Sequence, residues 1–497
     1  MGLGHSPRIV TENLVLLLDA GNPRNFDLTK VEVLVVGGGG GGGSGSGGGG
    51  GAGGLIYNSN FAVTPGTQLT VTVGNGGAGG GSYPAGGYSA STFGGDSIFG
   101  SLTAAGGGNG GGQNDNATNG GSGGGGGGGT NQPTQQVAGT GTAGQGNVGA
   151  AGIFNTRGGG GGGSGSAGSV VTGGSSTNIS ISGTSTTYAG GGGAGTYSLT
   201  AGNGGGGGAG NGTQGISVRG GDALVNTGSG GGGGGGEGSP LFRTAGGGAG
   251  GSGIIIVRYP GPQKAIGGTV TSVGGDTIHT FTTSGNFTPL VNTNGSAVLG
   301  LSDLSGNRNF GTTAGSPTYN SANGGSLYFE GSDEYVDCGT FFTYQTFTIE
   351  MWVNPGTSQN TYADIFDNSH TGNQNFSFQQ DHNNTNHYTF GVNDASGTIS
   401  VTGTIVLTAN TWTHVALTFS PSTRVIAYVN SVFHSQGSLA GGRNIAYVNQ
   451  SLALGRWQYA GGRHWNGKIS NFKTYNRILS AAEVSQNFNA LRGRYGL

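Results

Sequence analysis

Charged residues are scarce in this sequence. The 497 residues include 18 Lys and Arg and 20 Asp and Glu, which gives a net charge of -2. Lys and Arg form no cluster, so the chain lacks the basic surface that binds nucleic acid. We therefore expect no nucleic-acid partner.

Cysteine and long apolar runs are also nearly missing. Cys338 is the single cysteine, so no internal disulfide can form, and we expect a small buried side chain at a strand end. The apolar run 14–18 lies between Glu12 and Asp19 and is too short for a secretory signal. No segment approaches the ~20 apolar residues of a membrane helix. We expect neither an export signal nor membrane insertion.

Glycine dominates instead, with 122 residues. Residues 31–260 contain few charges, no Lys and no His, and they lack the Gly-X-Y period of collagen. Glycine runs alternate there with short pieces rich in β-branched and aromatic residues, a pattern that flexible linkers lack. These pieces lie at 31–36, 54–77, 96–108, 185–193, 222–233 and 253–261. The block is predicted to be folded, and we expect the first and last pieces to pair as strands.

Beyond this block the strand pattern becomes regular. Residues 262–290 predict a β-hairpin that turns at Gly274, Gly275 and Asp276. From residue 291 onward, short alternating strands separated by turns predict an antiparallel β-sandwich. The predicted strands are 326–331, 347–355, 375–380, 387–393, 411–420, 424–433, 451–456 and 467–476.

One helix is predicted near the C-terminus. Ser480 and Glu483 form a capping box, and Gly493 is expected to end the helix. An apolar stripe should cover one edge of the sandwich, and it consists of Val484, Phe488 and Leu491.

Four C-terminal segments share a family likeness. They are SLYFEGSDEYVDCG (326–339), FTIEMWVNP (347–355), WTHVALTFSPSTRVIAYVNS (412–431) and NGKISNFKTYNRILSAAEVSQNFNALRGRYGL (466–497). They resemble the laminin-G and pentraxin-like branch of the concanavalin A-like jelly rolls. The final segment is similar to the version found in virion proteins of tailed phages, especially marine and cyanobacterial ones. The resemblance implies an all-β sandwich.

The N-terminal segment ENLVLLLDAGNPRNF (12–26) resembles the first strand of the same phage domains, where a segment like 301–309 follows shortly. Here the two are far apart, which implies an insertion in a loop, and chain-closure entropy tolerates it. We predict four parts: the first sandwich strand in 1–26, a glycine-rich domain at 27–261, a β-hairpin connector at 262–290 and the sandwich at 291–497.

The glycine block resembles the glycine-rich domains of phage tail fibres. Their glycine runs pack as extended polyglycine-II helices, and loops at the far end contact the host receptor. Such helices have no internal hydrogen bonds, so N–H and C=O groups must pair between neighbours, and only Gly permits the close approach. Residues 37–51 are therefore predicted to be ordered, extended and in backbone contact with other glycine segments.

Signals for catalysis are weak. The glycine block contains no Lys and so lacks the GK[ST] of a phosphate-binding loop. Related glucanases carry E-x-D-x-x-E on one strand, whereas the corresponding strand 347–355 offers Glu350 alone. Glycoside hydrolysis uses two carboxylates. We interpret Glu350 as a surface residue and predict that the protein is not an enzyme and has no cofactor.

Calcium is a known ligand of several laminin-G and pentraxin relatives. Two acidic clusters are weak candidates for it: Asp333, Glu334 and Asp337 in one, and Asp364 and Asp367 in the other. Solvated turn carboxylates are the favoured interpretation. Histidines are expected in polar loops at His370, His382 and His387 and in the core at His414.

Some aromatic residues lie near Gly- and Asn-rich turns and could stack on sugar rings. The glycan-binding candidates are Tyr362, Trp457, Tyr459 and Trp465, and packing inside the sandwich is the alternative for each. Trp352 and Trp412 alternate with apolar neighbours and are predicted to be core residues.

These resemblances imply a phage virion structural protein, a fibre or spike component that adheres to host-surface polysaccharide without enzymatic activity. They also imply a homo-oligomer, with a trimer favoured, that contacts other virion proteins. Assembly in the host cytoplasm would place it on the surface of the virion. The alternative is a purely structural capsid or tail decoration protein that binds no receptor.

Overall fold

The computed structural model describes residues 8–20, 22, 28–82, 90–128, 136–153, 156–237, 244–291, 300–369, 375–394, 397–438, 440–445, 447, 450–458 and 463–497. The fold is all-β apart from one short C-terminal helix, as the sequence predicts. The chain divides into two compact units. One comprises residues 1–28, 260–264 and 290–497, and the other comprises 29–259 and 265–289. We call them the sandwich unit and the glycine-rich unit.

The strands are numbered in chain order. The first thirteen are β1 Leu14–Asp19, β2 Lys30–Val36, β3 Leu55–Ala62, β4 Leu69–Thr72, β5 Ser97–Phe99, β6 Leu102–Ala104, β7 Thr177–Ile179, β8 Thr186–Tyr188, β9 Ile254–Pro260, β10 Ala265–Ile266, β11 Thr269–Val273, β12 Asp276–Phe281 and β13 Gly285–Pro289. The others are β14 Gly300–Leu301, β15 Gly311–Ala314, β16 Thr318–Asn320, β17 Ser326–Glu330, β18 Tyr335–Asp337, β19 Phe347–Pro355, β20 Asp364–Asp367, β21 Asn375–Gln380, β22 His387–Asp394, β23 Gly397–Val401, β24 Ile405–Val406, β25 Thr413–Phe419, β26 Ile426–Val429, β27 Val432–Gln436, β28 Ala453–Leu454, β29 Asn466–Ile469 and β30 Asn471–Tyr475. The helix α1 spans Ala481–Leu491, and 3-10 turns lie at Ala322–Gly324 and Arg492–Tyr495.

Within its described residues, the glycine-rich unit contains three sheets, in the orders β11-β12-β9-β2-β3, β10-β13-β4-β5-β6 and β7-β8. Strand β2 pairs antiparallel with β9, with Glu32 opposite Arg258, which confirms the predicted pairing of these strands. The predicted hairpin is also confirmed, since β11 and β12 pair around Gly274 and Gly275, both with positive φ. The predicted strand at 222–233 is wrong: a turn occupies 225–228, where Asn226 has φ 62°.

Residues 37–43 form an extended helix whose N–H groups donate in rotation to three neighbouring segments. The donor–acceptor pairs are Gly37–Gly54, Gly40–Gly51 and Gly43–Gly48 for the first segment, Gly38–Gly95 and Gly41–Thr92 for the second, and Gly39–Gly251 and Gly42–Gly248 for the third, at 2.8–2.9 Å. The repeat of three residues is that of a polyglycine-II helix. The prediction that residues 37–51 are extended and lie against other glycine segments is confirmed for 37–43 and 47–51, whereas residues 44–46 bend the chain back.

The carbonyl groups of the same helix accept from three further segments. All six N–H···O distances are 2.8–3.0 Å. The donor–acceptor pairs are Gly107–Gly38 and Gly110–Gly41 for the first segment, Gly77–Gly39 and Gly80–Gly42 for the second, and Gly231–Gly40 and Gly234–Gly43 for the third. The N–H groups of residues 37–43 and the carbonyl groups of residues 38–43 therefore bond sideways, which satisfies them without water. After a turn at Gly45 and Ser46, residues 47–54 return beside this helix and donate in the same rotation.

Side chains are excluded from this lattice. A Cβ added at Gly41 would lie 2.0 Å from the carbonyl oxygen of Ala78, and one at Gly39 would lie 2.0 Å from that of Ser229. Ala52 interrupts the second run because its methyl group joins a buried apolar cluster that includes Val36 and Ile256.

The sandwich unit consists of two sheets. The first sheet has the order β16-β17-β29-β19-β25-β26-β27, and in it β30 also pairs with β19 and β1 pairs with β30. The second sheet has the order β14-β15-β18-β28-β20-β21-β22-β23, and in it β24 pairs with β22. The inward-facing residues form one core that is rich in Phe, including Phe347, Phe366, Phe376 and Phe390. We call the sheets the β19 sheet and the β20 sheet.

Several predicted strands of the sandwich are confirmed within a few residues, and two are divided. The predicted strand 424–433 becomes β26 and β27, because Asn430 and Ser431 adopt positive φ and form a tight turn. The predicted strand 467–476 becomes β29 and β30 on either side of Ser470. Cys338 is buried directly after β18, as expected, and burial raises the pKa of its thiol.

Helix α1 covers part of the outer face of the β19 sheet. Its capping box is confirmed: Ser480 accepts from the Glu483 backbone, and the Glu483 carboxylate accepts from the Ser480 backbone. Gly493 does not end the helix, because a 3-10 turn continues to Tyr495 and Gly496 closes it at φ 77°. Under these turns lies a buried aromatic cluster that includes the two predicted core tryptophans: Trp352, Trp412, Phe488 and Tyr495.

The surface assignment of Glu350 is wrong. The residue faces outward from β19, but α1 covers it and leaves it fully buried. Its carboxylate accepts from Asn487 Nδ2 of α1 at 2.6 Å and lies 3.6 Å from Lys473 Nζ. His414 is fully buried beside it, as predicted, with Nε2 3.9 Å from Glu350 Oε1.

Candidate functional site

Arg463 brings together two of the predicted glycan-binding aromatics. Its guanidinium carbon lies 4.0 Å from the ring centroid of Trp457 and 5.1 Å from that of Tyr362. Tyr362 also stacks on His382, with centroids 4.9 Å apart and ring planes 17° apart. We call these four side chains the Arg463 patch.

Neighbouring strands of the β20 sheet position the patch. Tyr362 precedes β20, and Trp457 and His382 follow its two partners, β28 and β21. Tyr362 is 38% exposed and has a φ of 59°. This left-handed backbone conformation costs a non-glycine residue about 1–3 kcal/mol, and such residues tend to occur at binding sites. Trp457 is half-buried, so part of its ring remains open to solvent.

Hydrogen bonds below the patch fix the position of Trp457. Its indole Nε1 donates to Ser369 Oγ at 2.9 Å, and that hydroxyl donates to Asp367 Oδ1 at 2.9 Å. The same carboxylate oxygen accepts from the backbone N–H of Gln458 at 2.9 Å. The indole is thus held on a buried polar layer.

Two buried acids form that layer. Burial, followed by the charge of Asp367, raises the pKa of Asp364 well above its usual value. Burial also raises the pKa of Asp367 to about 6, although several hydrogen bonds oppose the shift. The nearby Arg463 favours the charged form of both carboxyls. Among the described residues, Asp364 Oδ1 and Asp367 Oδ2 have no hydrogen-bond partner.

The acidic candidates do not gather into one cluster in the described part of the chain. Calcium takes six to eight oxygen ligands, and within the described ranges no three His, Cys, Asp or Glu side chains come together as a metal site. In the other cluster, Asp337 accepts from the Gly339 backbone and from Ser451, Glu334 accepts from residue 332, and Asp333 is exposed. Asp333 is solvated as expected, whereas Glu334, Asp364 and Asp367 are buried, which corrects the interpretation of these three as solvated carboxylates.

Trp465 is not available to a ligand, which corrects its assignment as a candidate. It is fully buried in the sandwich core, packs against Phe329 and donates its indole N–H to the Tyr388 hydroxyl at 2.8 Å. Tyr459 and His370 lie outside the described residues. His387 begins β22 rather than lying in a loop.

The glycine-rich unit has a polar pocket of its own, at the far end of the polyglycine helices, where residues 43–47 turn back. Its volume is about 790 Å³. The side chains that line it include amides, hydroxyls and one carboxylate: Ser44, Ser91, Asn109, Asn114, Asp115 and Asn116.

The Arg463 patch places aromatic rings and a guanidinium above a buried polar layer, and such groups can contact a saccharide. Aromatic rings pack on the C–H face of a sugar, and Arg donates to hydroxyl or carboxylate oxygens. Sequence reasoning missed Arg463 and His382. The signal available was the run GGRHW at 461–465, where Arg463 lies two positions before Trp465, one of the chosen tryptophans.

Comparisons with known proteins support the fold. Residues 323–485 match the family described as the concanavalin A-like lectin/glucanases superfamily, and residues 23–260 match the family described as a glycine-rich domain. No curated protein sequence matches the chain. In the described part of the chain, no helix has both the length and the hydrophobicity needed to cross a membrane.

Solved structures similar to this chain include two binding domains of toxins and one domain of an arabinanase. The binding domain of Paraclostridial Mosquitocidal Protein 1 aligns at 16% identity and a TM-score of 0.31, over 39% of this chain and 52% of that one. The binding domain of botulinum neurotoxin DC, in complex with SialylT, aligns at 16% and 0.32 over the same fractions. Domain 4 of AbnA, a GH43 extracellular arabinanase from Geobacillus stearothermophilus in complex with arabinotriose, aligns at 18% and 0.28 over 40% of this chain and 99% of that domain.

This chain therefore spans about half the length of the first two structures. The sandwich unit is a concanavalin A-like lectin fold, and the other unit is similar to glycine-rich domains.

Proposed function

We propose that this protein is a non-enzymatic adhesin of a phage particle, a fibre or spike component that binds host-surface glycans. The observation that carries the proposal is the Arg463 patch, in which Trp457 and Tyr362 converge on one cation at the ends of central strands of a lectin-type sandwich. The pocket at the far end of the polyglycine helices supports a second contact.

The position of Glu350 supports a non-enzymatic role. Glycoside hydrolysis requires two carboxylates that reach the substrate. Glu350 is covered by α1, and the carboxyls of Asp364 and Asp367 are buried below the patch.

The phage part of the proposal rests on the sequence resemblance of residues 12–26, 466–497 and the glycine block to virion proteins of tailed phages. A trimer, with contacts to other virion proteins, would multiply weak sites, because multivalent display raises avidity by about 10² to 10⁴. Labelling of intact particles with an antibody against the chain tests this part. Label at a fibre tip supports an adhesin, whereas label on the capsid wall supports the decoration alternative.

Glycan binding is tested with the full chain on an array of host-surface polysaccharides. Arg463→Gln and Trp457→Ala should each weaken binding by about tenfold or more. Phe433→Ala, which removes an exposed aromatic from the other sheet, is the matched control and should leave binding unchanged. If the patch variants bind as tightly as the natural chain, the patch is not the site.

A further inference from the structure

A polar groove of about 440 Å³ lies on the outer face of the β19 sheet, where β16, β17, β29 and β19 are adjacent. Four amides, one phenol and one ammonium group line it: Asn320, Asn354, Asn410, Asn466, Tyr328 and Lys468. We call it the Lys468 groove.

Strand alternation turns these polar side chains outward. On β17 the flanking Leu327 and Phe329 face the core, and on β29 the adjacent Ile469 does so. Tyr328 and Lys468 therefore point to the other face. Lys468 lies opposite Tyr328 on one side and Asn354 on the other, so the three form a row across three strands.

The polar side chains of this row have few partners within the described part of the protein. Among the described residues, Lys468 Nζ makes no ion pair or hydrogen bond, and neither the Tyr328 hydroxyl nor the Asn354 amide has a side-chain or backbone partner. Glu330 is a nearby carboxylate on the outer face of β17, opposite Asn466, and it forms no ion pair with Lys468. The polar groups of the groove are thus open to a ligand.

We propose that the Lys468 groove binds an acidic saccharide, one that carries a carboxylate on a sugar ring. Amide side chains both donate and accept, as sugar hydroxyls do. Tyr328 supplies a half-buried ring for the C–H face, and Lys468 supplies the counter-charge for the carboxylate. The inference goes beyond the proposed adhesin site, because the Arg463 patch is built on the β20 sheet and the groove on the β19 sheet.

The lining favours this class over a phosphate ligand. Phosphates are usually held by Arg forks or by several backbone N–H groups at a helix start. The groove has a single Lys point charge and several side-chain amides. Its volume lies within the range of about 300–1,000 Å³ that is typical of small-molecule sites.

The test is calorimetric titration of the full chain with digalacturonic acid and with the matching neutral galactose disaccharide. We expect the acid to bind and the neutral sugar to bind at least about tenfold more weakly. Lys468→Gln should weaken acid binding by about tenfold and leave the neutral sugar unaffected, whereas Glu330→Gln should strengthen acid binding. Lys30→Gln removes the same charge from an exposed position on the glycine-rich unit and serves as control.

Opposite shifts in Lys468→Gln and Glu330→Gln would support the proposal, since a merely structural role for either residue would not produce them. No binding of digalacturonic acid, or acid binding that Lys468→Gln leaves unchanged, would overturn it. Arg463→Gln separates the two sites: it should leave acid binding in the groove intact even if the adhesin proposal fails.

Discussion

Lys473 holds its ammonium nitrogen 3.6 Å from Oε2 of Glu350, and both side chains are completely buried between the β19 sheet and helix α1. Burial raises the pKa of Glu350 and lowers that of Lys473. The attraction between the two charges opposes both shifts, because each residue favours the charged form of the other. Asn487 extends the network to the N-terminal segment, because it donates to Glu350 and accepts from the backbone of Val10.

Removing one member of this pair should therefore destabilise the sandwich unit. Lys473→Met leaves a buried carboxylate without its cation, which costs about 3–5 kcal/mol, and adding Glu350→Gln should recover part of that loss. Urea unfolding followed by tryptophan fluorescence reports this unit, because all four Trp residues lie in it. Lys468→Met on the open face is the control, and a loss below about 1 kcal/mol in Lys473→Met would contradict the expectation.

The polyglycine lattice should not tolerate a methyl group. Gly41→Ala would place Cβ 2.0 Å from a carbonyl oxygen of the adjacent helix, so neighbouring backbones must move apart and lose hydrogen bonds. We expect a destabilisation of at least about 3 kcal/mol and faster amide exchange along residues 37–54. Gly285→Ala meets nothing within 4 Å and should exchange like the natural chain. Unchanged protection in Gly41→Ala would show that the lattice is looser than described.

Helix α1 should lose stability in acid. Hydrogen bonds from Arg477 and the Ser480 backbone hold the pKa of Glu483 at about 2, below its usual value of 4.5. The stabilisation is thus complete above pH 4.5 and is lost as the pH falls toward 2. Glu483→Gln should cost about 1 kcal/mol at pH 7 and flatten this dependence, as measured by urea unfolding across pH. Glu330→Gln, at an exposed strand position, should keep the natural profile.

Asp367 should produce the opposite dependence. Its pKa is about 6 in the folded chain against 3.8 when exposed, so between these values the unfolded chain holds fewer protons. Stability therefore falls as the pH rises from 4 to 6, by on the order of 3 kcal/mol from this group. Asp367→Asn keeps an oxygen for Gln458 and Ser369 and should reduce this slope, and Asp364, whose pKa is also raised by burial, accounts for the part that remains. A slope that the variant leaves unchanged would assign the titration to another group.

Short-range patterns account for much of what the sequence predicts correctly. Strand β19 spans the predicted residues 347–355, and the capping box at Ser480 and Glu483 forms as expected. Both depend on neighbours within a few positions. The pairing of β2 with β9 was also predicted, because two apolar strands at the ends of one block have few other partners.

The candidate site was predicted only in part, because it depends on loops that are distant along the chain. Tyr362 and Trp457 were chosen as aromatics near turns, but the same reasoning also chose Trp465, which is buried. Period-two alternation does not say whether a second element covers the outer face of a sheet. Glu350 has the alternation of a surface residue and is buried because α1 packs on it.

By itself, the sequence determined the class of each unit. Alternating strands indicate the sandwich, and glycine runs indicate closely packed extended backbones, which only glycine permits. The tertiary structure decided what lies beside what. It arranged polyglycine helices so that the N–H groups of residues 37–43 and the C=O groups of residues 38–43 have partners in other segments. It also placed Arg463 between two rings and left Lys468 in an open groove. The physical reason is that backbone conformation follows from adjacent residues, whereas burial, charge pairing and site geometry arise from chain segments that meet only after folding.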